Sequence, residues 1–273
     1  MNKYTLAVST LNDGINNYKI PKIKDINKIS FLIIHQISKE YDNTNYEPAY
    51  SNLKSELPSV KIITSYDLGL SKSRNIAILS STTPYILFSD DDNSYDCNLV
   101  DILEKTTSNQ QLQIYSFKIR SEDGEPFKVY PKVRMKHNKK TILRLSSIEN
   151  LYDLNFIKNN NIFFNENFGL GAKYPSCEQP IFANNILSKN GKGYFFPINL
   201  AIHPKENSGD NYYQPLQAKA RRKMFLNIYG YKGWLFTLFF YIKKFRFIPL
   251  KNQLSFFHGL FIKWIKLKPS FIV

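Results

Sequence analysis

The run Pro84-Tyr85-Ile86-Leu87-Phe88-Ser89 ends in three consecutive carboxylates, Asp90-Asp91-Asp92. An apolar stretch of strand length behind a proline reads as a buried strand. Three adjacent acids repel one another and call for a cation or for water. A chain that carries both must bury the body of the strand and present its carboxyl end at an open sheet edge. The flanking segments supply the rest of such a sheet. Residues 4–9 and 30–35 are short apolar runs, and 60–65 is rich in β-branched side chains. Residues 70–79 have helical spacing, with Ile76 and Leu79 on the side expected to meet the sheet. Alternation of this kind predicts a parallel α/β sheet that binds ligands beyond the carboxyl ends of its strands. Those ends carry Ser9-Thr10-Leu11-Asn12, His35-Gln36, Ser65-Tyr66-Asp67 and the acidic triplet. Further on, 111–120 reads as a strand, 122–126 as a turn and 127–130 as the returning strand.

With 273 residues, 43% of them hydrophobic, the chain can bury one substantial core, or a main domain with an appendage. A net charge of +15 would fit a nucleic-acid binder, but its distribution argues otherwise. Residues 1–210 hold 25 basic and 22 acidic residues, whereas 211–273 hold 12 basic residues and no acid. The basicity belongs to the C-terminal part, and no nucleic-acid partner is expected. Cys97 and Cys177 are too few for a disulfide framework, and the N-terminus lacks the apolar core of a signal peptide. The expectation is a cytoplasmic protein with reduced thiols.

The chain divides at residue 210 into a main domain, 1–210, and a basic, aromatic-rich helical extension, 211–273. In the extension, 218–229 is basic and helix-compatible. Residues 234–242 form an apolar-aromatic block ended by Lys243-Lys244, and 254–265 repeat the theme before Lys266 and Lys268. Each apolar run is shorter than the ~20 residues that span a bilayer. Two readings stay open: helices lying in an anionic membrane interface, or a helical pair packed on the main domain with a solvated basic face.

Four blocks resemble glycosyltransferase family 2. Gly69-Leu70-Ser71-Lys72-Ser73-Arg74-Asn75 followed by the strand ending in Asp90-Asp91-Asp92 is similar to the family's Arg-Asn and Asp-x-Asp signature. Phe164-Asn165-Glu166-Asn167-Phe168-Gly169-Leu170-Gly171-Ala172, then Cys177-Glu178-Gln179 and His203-Pro204, are similar to its acceptor-side pattern. The resemblance covers about residues 4–204. It implies a GT-A fold, a Rossmann-like and mainly parallel sheet flanked by helices. It also implies inverting transfer of one sugar from a nucleotide-diphosphate donor to a saccharide acceptor, with Mn²⁺ or Mg²⁺. A tail that lies on a membrane would suit a lipid-linked saccharide acceptor, and the expectation is an enzyme of bacterial surface polysaccharide assembly at the inner face of the cell membrane.

Within that frame, carboxylate oxygens suit a hard divalent cation that also meets a diphosphate. Asp90 and Asp92 form the Asp-x-Asp pair, with Asp92 placed on the metal and Asp90 or Asp91 on ribose hydroxyls. His203 stands where the family places a metal- or diphosphate-touching histidine. Arg74 is a diphosphate partner, a structural ion pair with the triplet, or both at once. Asn75 is expected to fix the loop. Thr10, Asn12, Gln36 and Asp67 are assigned to the base and ribose, although His35-Gln36 replaces the acid usual after the second strand. The family's acceptor base is an acid in a Gly-Glu-acid element. Here that element reads Cys177-Glu178-Gln179, which leaves three alternatives: Glu178 as the base in a shifted register, another acid in its place, or impaired transfer with Glu178 as a helix cap. Rival readings are an α/β nucleotidyltransferase, for which the loop after residue 10 lacks the Gly-rich phosphate cradle, and a non-catalytic protein that binds membrane or nucleic acid through its basic tail.

Overall fold

A computed structural model describes residues 2–203 and 212–261. Its first strands are β1 (Tyr4–Leu11), β2 (Ile29–Gln36), β3 (Val60–Ser65) and β4 (Tyr85–Asp90). They pair in parallel in the order β3-β2-β1-β4. The sheet continues through β8 (Asn150–Asp153), β6 (Ile114–Ser121), β9 (Gly193–His203) and β5 (Ser94–Tyr95), and β7 (Met135–Lys136) pairs with β9. β8 runs antiparallel to both β4 and β6, and so β6 and β9 again point the same way as β4.

The alternation of side chains along β1, β2 and β4 explains why the sheet is covered on both faces. Leu6, Val8, Phe31, Ile33 and Leu87 join one apolar cluster, while Ala7, Leu32, Ile34, Ile86 and Phe88 join another. Helix α3 (Leu99–Ser108) packs into the first through Leu99, Val100 and Leu103, and α2 (Leu70–Ser80) packs into the second through Ala77 and Ile78. The sheet side of α2 is therefore not the side that includes Leu79, which is 65% exposed. Arg74 takes the inward position one turn earlier, and this rotates Leu79 outward.

Residues 127–130 do not return as a strand. The turn after β6 closes with the bridge Arg120–Pro126 and the Phe127 amide on the Ile119 carbonyl, and Tyr130 then donates its hydroxyl to Glu149 and accepts from the Ile119 amide. Beyond β8 lie α4 (Leu154–Asn159) and α5 (Glu178–Ser188), with α1 (Glu47–Glu56) earlier in the chain.

The described part of the extension is α6 (Pro215–Tyr229), α7 (Gly233–Phe245) and α8 (Leu250–Phe261). Lys266, Lys268 and Pro204 lie outside the described residues, as does the boundary expected at residue 210. Ile181 of α5 shares an apolar cluster with Met224, Phe225 and Ile228 of α6 and Phe236 and Phe240 of α7, which fastens the extension to the main sheet body. Among the described residues no helix is long and apolar enough to cross a membrane.

Candidate active site

The register of the parallel strands sets the edge of the candidate site. Ser9 lies beside Asp90, Thr10 beside His35, Leu11 beside Gln36, and Gln36 beside Ser65. Thr10 donates its hydroxyl to Asp91 Oδ2 at 2.5 Å. Gly14 permits this approach: a Cβ there would overlap Asp91 Oδ2 and stand 2.8 Å from Thr10 Oγ1. Burial and the neighbouring charges of Asp90 and Asp92 push the Asp91 carboxyl above its ordinary value, and the Thr10 hydrogen bond opposes them. Asp92 is also pushed up by burial and then by Asp90, against the pull of His203. The β5–β9 ladder explains how a residue so distant in sequence comes to act on the triplet. Ser94 pairs with Ile202, which brings Asp92 and His203 to the same end of the ladder. The His203 ring also meets Phe127 edge-on at 5.1 Å.

Arg74 is the centre of the arrangement. Its side chain is fully buried, with Nη1 2.9 Å from Glu178 Oε1 and Nη2 3.4 Å from Asp90 Oδ1. The guanidinium carbon stands 5.5 Å from the Phe164 ring centroid. Of the two roles open to Arg74, the structure displays the ion pair. It extends beyond the triplet to Glu178, so one cation joins the triplet to the start of α5.

Around this bridge the two distant sequence blocks interlock. Asn75 donates to the Phe164 carbonyl and to Glu166, and its own oxygen accepts from the Phe164 amide at 2.8 Å. Ser71 donates to the Phe168 carbonyl, and the Leu70 amide donates to the Leu170 carbonyl. Gly169 has φ +104, and a Cβ on it would meet Ser71 Oγ at 3.1 Å and Glu178 Cγ at 3.6 Å. The loop thus passes directly over the candidate base.

Glu178 is the first residue of α5. Cys177, at φ 75, makes the left-handed turn that starts the helix. The Glu178 side chain keeps 12% exposure, and Oε2 makes no hydrogen bond among the described residues. Gln179 stands at the position where the resemblance calls for a second acid. It is 2% exposed and donates to the Tyr152 hydroxyl in the core, so it faces away from the acceptor side.

The residues assigned to base and ribose are placed at the edge, but several are engaged within the protein. Gln36 donates to the carbonyls of Asp67 and Gly69 and so ties β2 to the turn before α2. Asn12, at φ 48, accepts from the Ser38 amide through its side chain, and its carbonyl contacts His35 Nε2 at 2.8 Å. The Asp67 carboxylate pairs with Lys72 and stays 70% exposed. Sequence reasoning missed the buried role of His35. Its Nδ1 meets the Tyr50 hydroxyl at 2.7 Å, and burial lowers its pKa, so it anchors the loop after β1 as a neutral ring. The alternation of β2 would have revealed it, since His35 faces inward with Phe31 and Ile33.

Among the described residues no three of His, Cys, Asp and Glu converge closely enough to form a metal cage. Asp90, Asp92 and His203 therefore do not make a complete protein-built ligand set. The destabilised carboxyls do fit a hard cation that takes one or two of them and fills its remaining positions with phosphate oxygens and water.

No family model matches the chain, and no curated protein matches it by sequence. Solved structures do. Residues 1–349 of Staphylococcus aureus TarS in complex with UDP-GlcNAc superpose with a TM-score of 0.64 at 15% identity, over 95% of this chain and 79% of that one. The complex of the same TarS fragment with UDP gives 0.61 at 15% identity, with the same coverage of both chains. A longer TarS structure gives 0.62 at 16% identity, and there the match covers 95% of this chain and 48% of that one. The fold is GT-A-like. The mostly parallel sheet carries helices on both faces, and the acidic triplet lies at the carboxyl edge of its central strands.

Proposed function

We propose that the protein is an inverting glycosyltransferase that moves one sugar, a hexosyl unit, from a nucleotide-diphosphate donor to a saccharide acceptor. The observation that carries this reading is the buried Arg74, paired at once with Asp90 at the donor edge and with Glu178 at the start of α5. The TarS complexes make UDP-sugars the first donors to test.

Asp92 and Asp90, with His203 beside them, would hold Mn²⁺ or Mg²⁺, which supplies positive charge against the diphosphate when bound. Thr10 fixes the Asp91 carboxylate at the donor edge and leaves it to accept from ribose hydroxyls. On the opposite side Glu178 accepts the proton of the acceptor hydroxyl through Oε2, while Arg74 holds Oε1 in place. The acceptor oxygen bonds to the anomeric carbon as the bond to the diphosphate oxygen breaks. The nucleoside diphosphate leaves with the bonding pair, and the configuration inverts. Gln179 can take no part in proton transfer from its place against Tyr152.

Thermal-shift screening of nucleotide-sugars with Mn²⁺ tests the donor half. A stabilising donor whose effect disappears in Asp92→Asn supports the reading, and a full panel with no shift refutes it. Glu178→Gln should retain donor binding and lose turnover by at least about a hundredfold. Normal turnover in that variant would move the base elsewhere.

A further inference from the structure

Helices α7 and α8 are apolar on the side they bury and also on the side they expose. Phe236 and Phe240 of α7 pack against α6, and Phe256 and Leu260 of α8 pack with Ala218. Outside, Leu235, Leu238, Phe239 and Ile242 are 58%, 46%, 69% and 61% exposed. Their spacing of i, i+3, i+4 and i+7 makes one continuous stripe along α7. Leu250, Leu254 and Phe257, 85%, 67% and 40% exposed, repeat the stripe on α8 at i, i+4 and i+7. One face of the extension thus packs on the body, and the other remains apolar and bare.

A helix that is apolar all round is normally covered all round, and a contiguous exposed patch of this kind marks an interaction surface. The cover is not a bilayer crossed from side to side. The 13 residues of α7 run about 20 Å, against a hydrocarbon core of about 30 Å. The surrounding charge decides between the remaining partners. Lys232, Lys243, Arg246 and Lys251 are exposed beside the stripes, and 211–273 contain 12 basic residues and no acid. A second copy would set two cationic faces together with no carboxylate in either extension to pair them. An anionic bilayer surface offers opposite charge and an apolar boundary at once.

We infer that α7 and α8 lie in the interface of an anionic membrane, with their outer stripes at the acyl boundary and their lysines and arginine in the headgroup layer. A consequence for the acceptor rests on the transferase reading. Cys177, next to Glu178, belongs to the same apolar cluster as Phe236 and Phe240. Two helix-to-helix spacings, α5 to α6 and α6 to α7, separate the candidate base from the docking helix by roughly 20 Å. An acceptor anchored in that bilayer reaches Glu178 as a short lipid-linked saccharide.

Flotation of the full chain with vesicles, without any nucleotide-sugar, tests the docking. The protein should rise with phosphatidylcholine vesicles containing phosphatidylglycerol, bind pure phosphatidylcholine vesicles at least about tenfold more weakly, and be released by salt. Leu238→Ser/Phe239→Ser/Ile242→Ser should lower partition by about a hundredfold with an unchanged melting temperature. Lys243→Ser/Arg246→Ser, both at exposed positions, should lower it by about tenfold on anionic vesicles only, and these carry the test if the triple variant does not fold. Undiminished flotation of either variant overturns the inference. So does a parent chain that stays in solution, or one that sediments as a dimer made monomeric by the serines. A chain that floats but transfers no sugar removes the transferase reading alone.

Discussion

Replacing Arg74 by Met tests the bridge on which the site is built. Met keeps much of the volume beside Phe164 but leaves two carboxylates without their cation. Breaking a buried pair by removing one partner costs about 3–5 kcal/mol. The two acids do not contribute equally. Glu178 is 12% exposed and bears most of the penalty, while Asp90, at 32%, recovers much of its hydration. We expect a loss of about 3 kcal/mol, near the lower end of that range. In urea, with a slope of about 3 kcal/mol/M, the unfolding midpoint should fall by about 1 M. The cycle is completed by Glu178→Met and by the double variant. Removing both charges relieves the isolated carboxylate, so the double variant should be more stable than the sum of the single losses by about 2 kcal/mol. Circular dichroism of the four proteins measures it. Additive losses, or an Arg74→Met protein as stable as the parent, would refute the picture of one arginine holding both acids.

Three other expectations are more local. Gly14→Ala should push Asp91 off Thr10, weakening donor binding about tenfold by calorimetry while stability changes by less than about 1 kcal/mol. Asn75→Ala removes three hydrogen bonds to the 164–166 segment and should cost about 2–3 kcal/mol, with a larger effect on turnover than on donor affinity. Burial lowers the His137 pKa to about 4 from 6.5, so between these values the unfolded chain takes a proton that the folded one refuses. Stability is therefore full above pH 6.5 and falls on acidification to pH 4 by about 3 kcal/mol, and His137→Asn should flatten that part of the pH profile of unfolding.

The N-terminal half was legible because its strands are short, buried on both faces and local. β3 begins and ends where its β-branched run does, and β4 only extends the apolar run into the first acid. The antiparallel β8 and long β9 were not legible. Asn150–Asp153 is four residues with no alternation, and it is a strand only because β4 and β6 hold it from either side. Likewise, the sequence could propose Arg74 and Glu178 separately but not their contact across 104 positions, which depends on the loop over α2. Gln179 looked like a missing acid. Its meaning changed once Tyr152 was seen beneath it.

The interlocking of 69–75 with 164–172 restricts how this protein can be altered. An acceptor loop is normally the part that can be exchanged to change specificity, because loops tolerate replacement better than the elements they join. Here the loop shares its hydrogen bonds with the helix that carries the arginine. A graft of residues 164–178 from another protein would arrive without Ser71 and Asn75 shaped to receive it. The transferable cassette is the pair of segments together, and any new specificity would have to be reached by changing side chains on that joined frame.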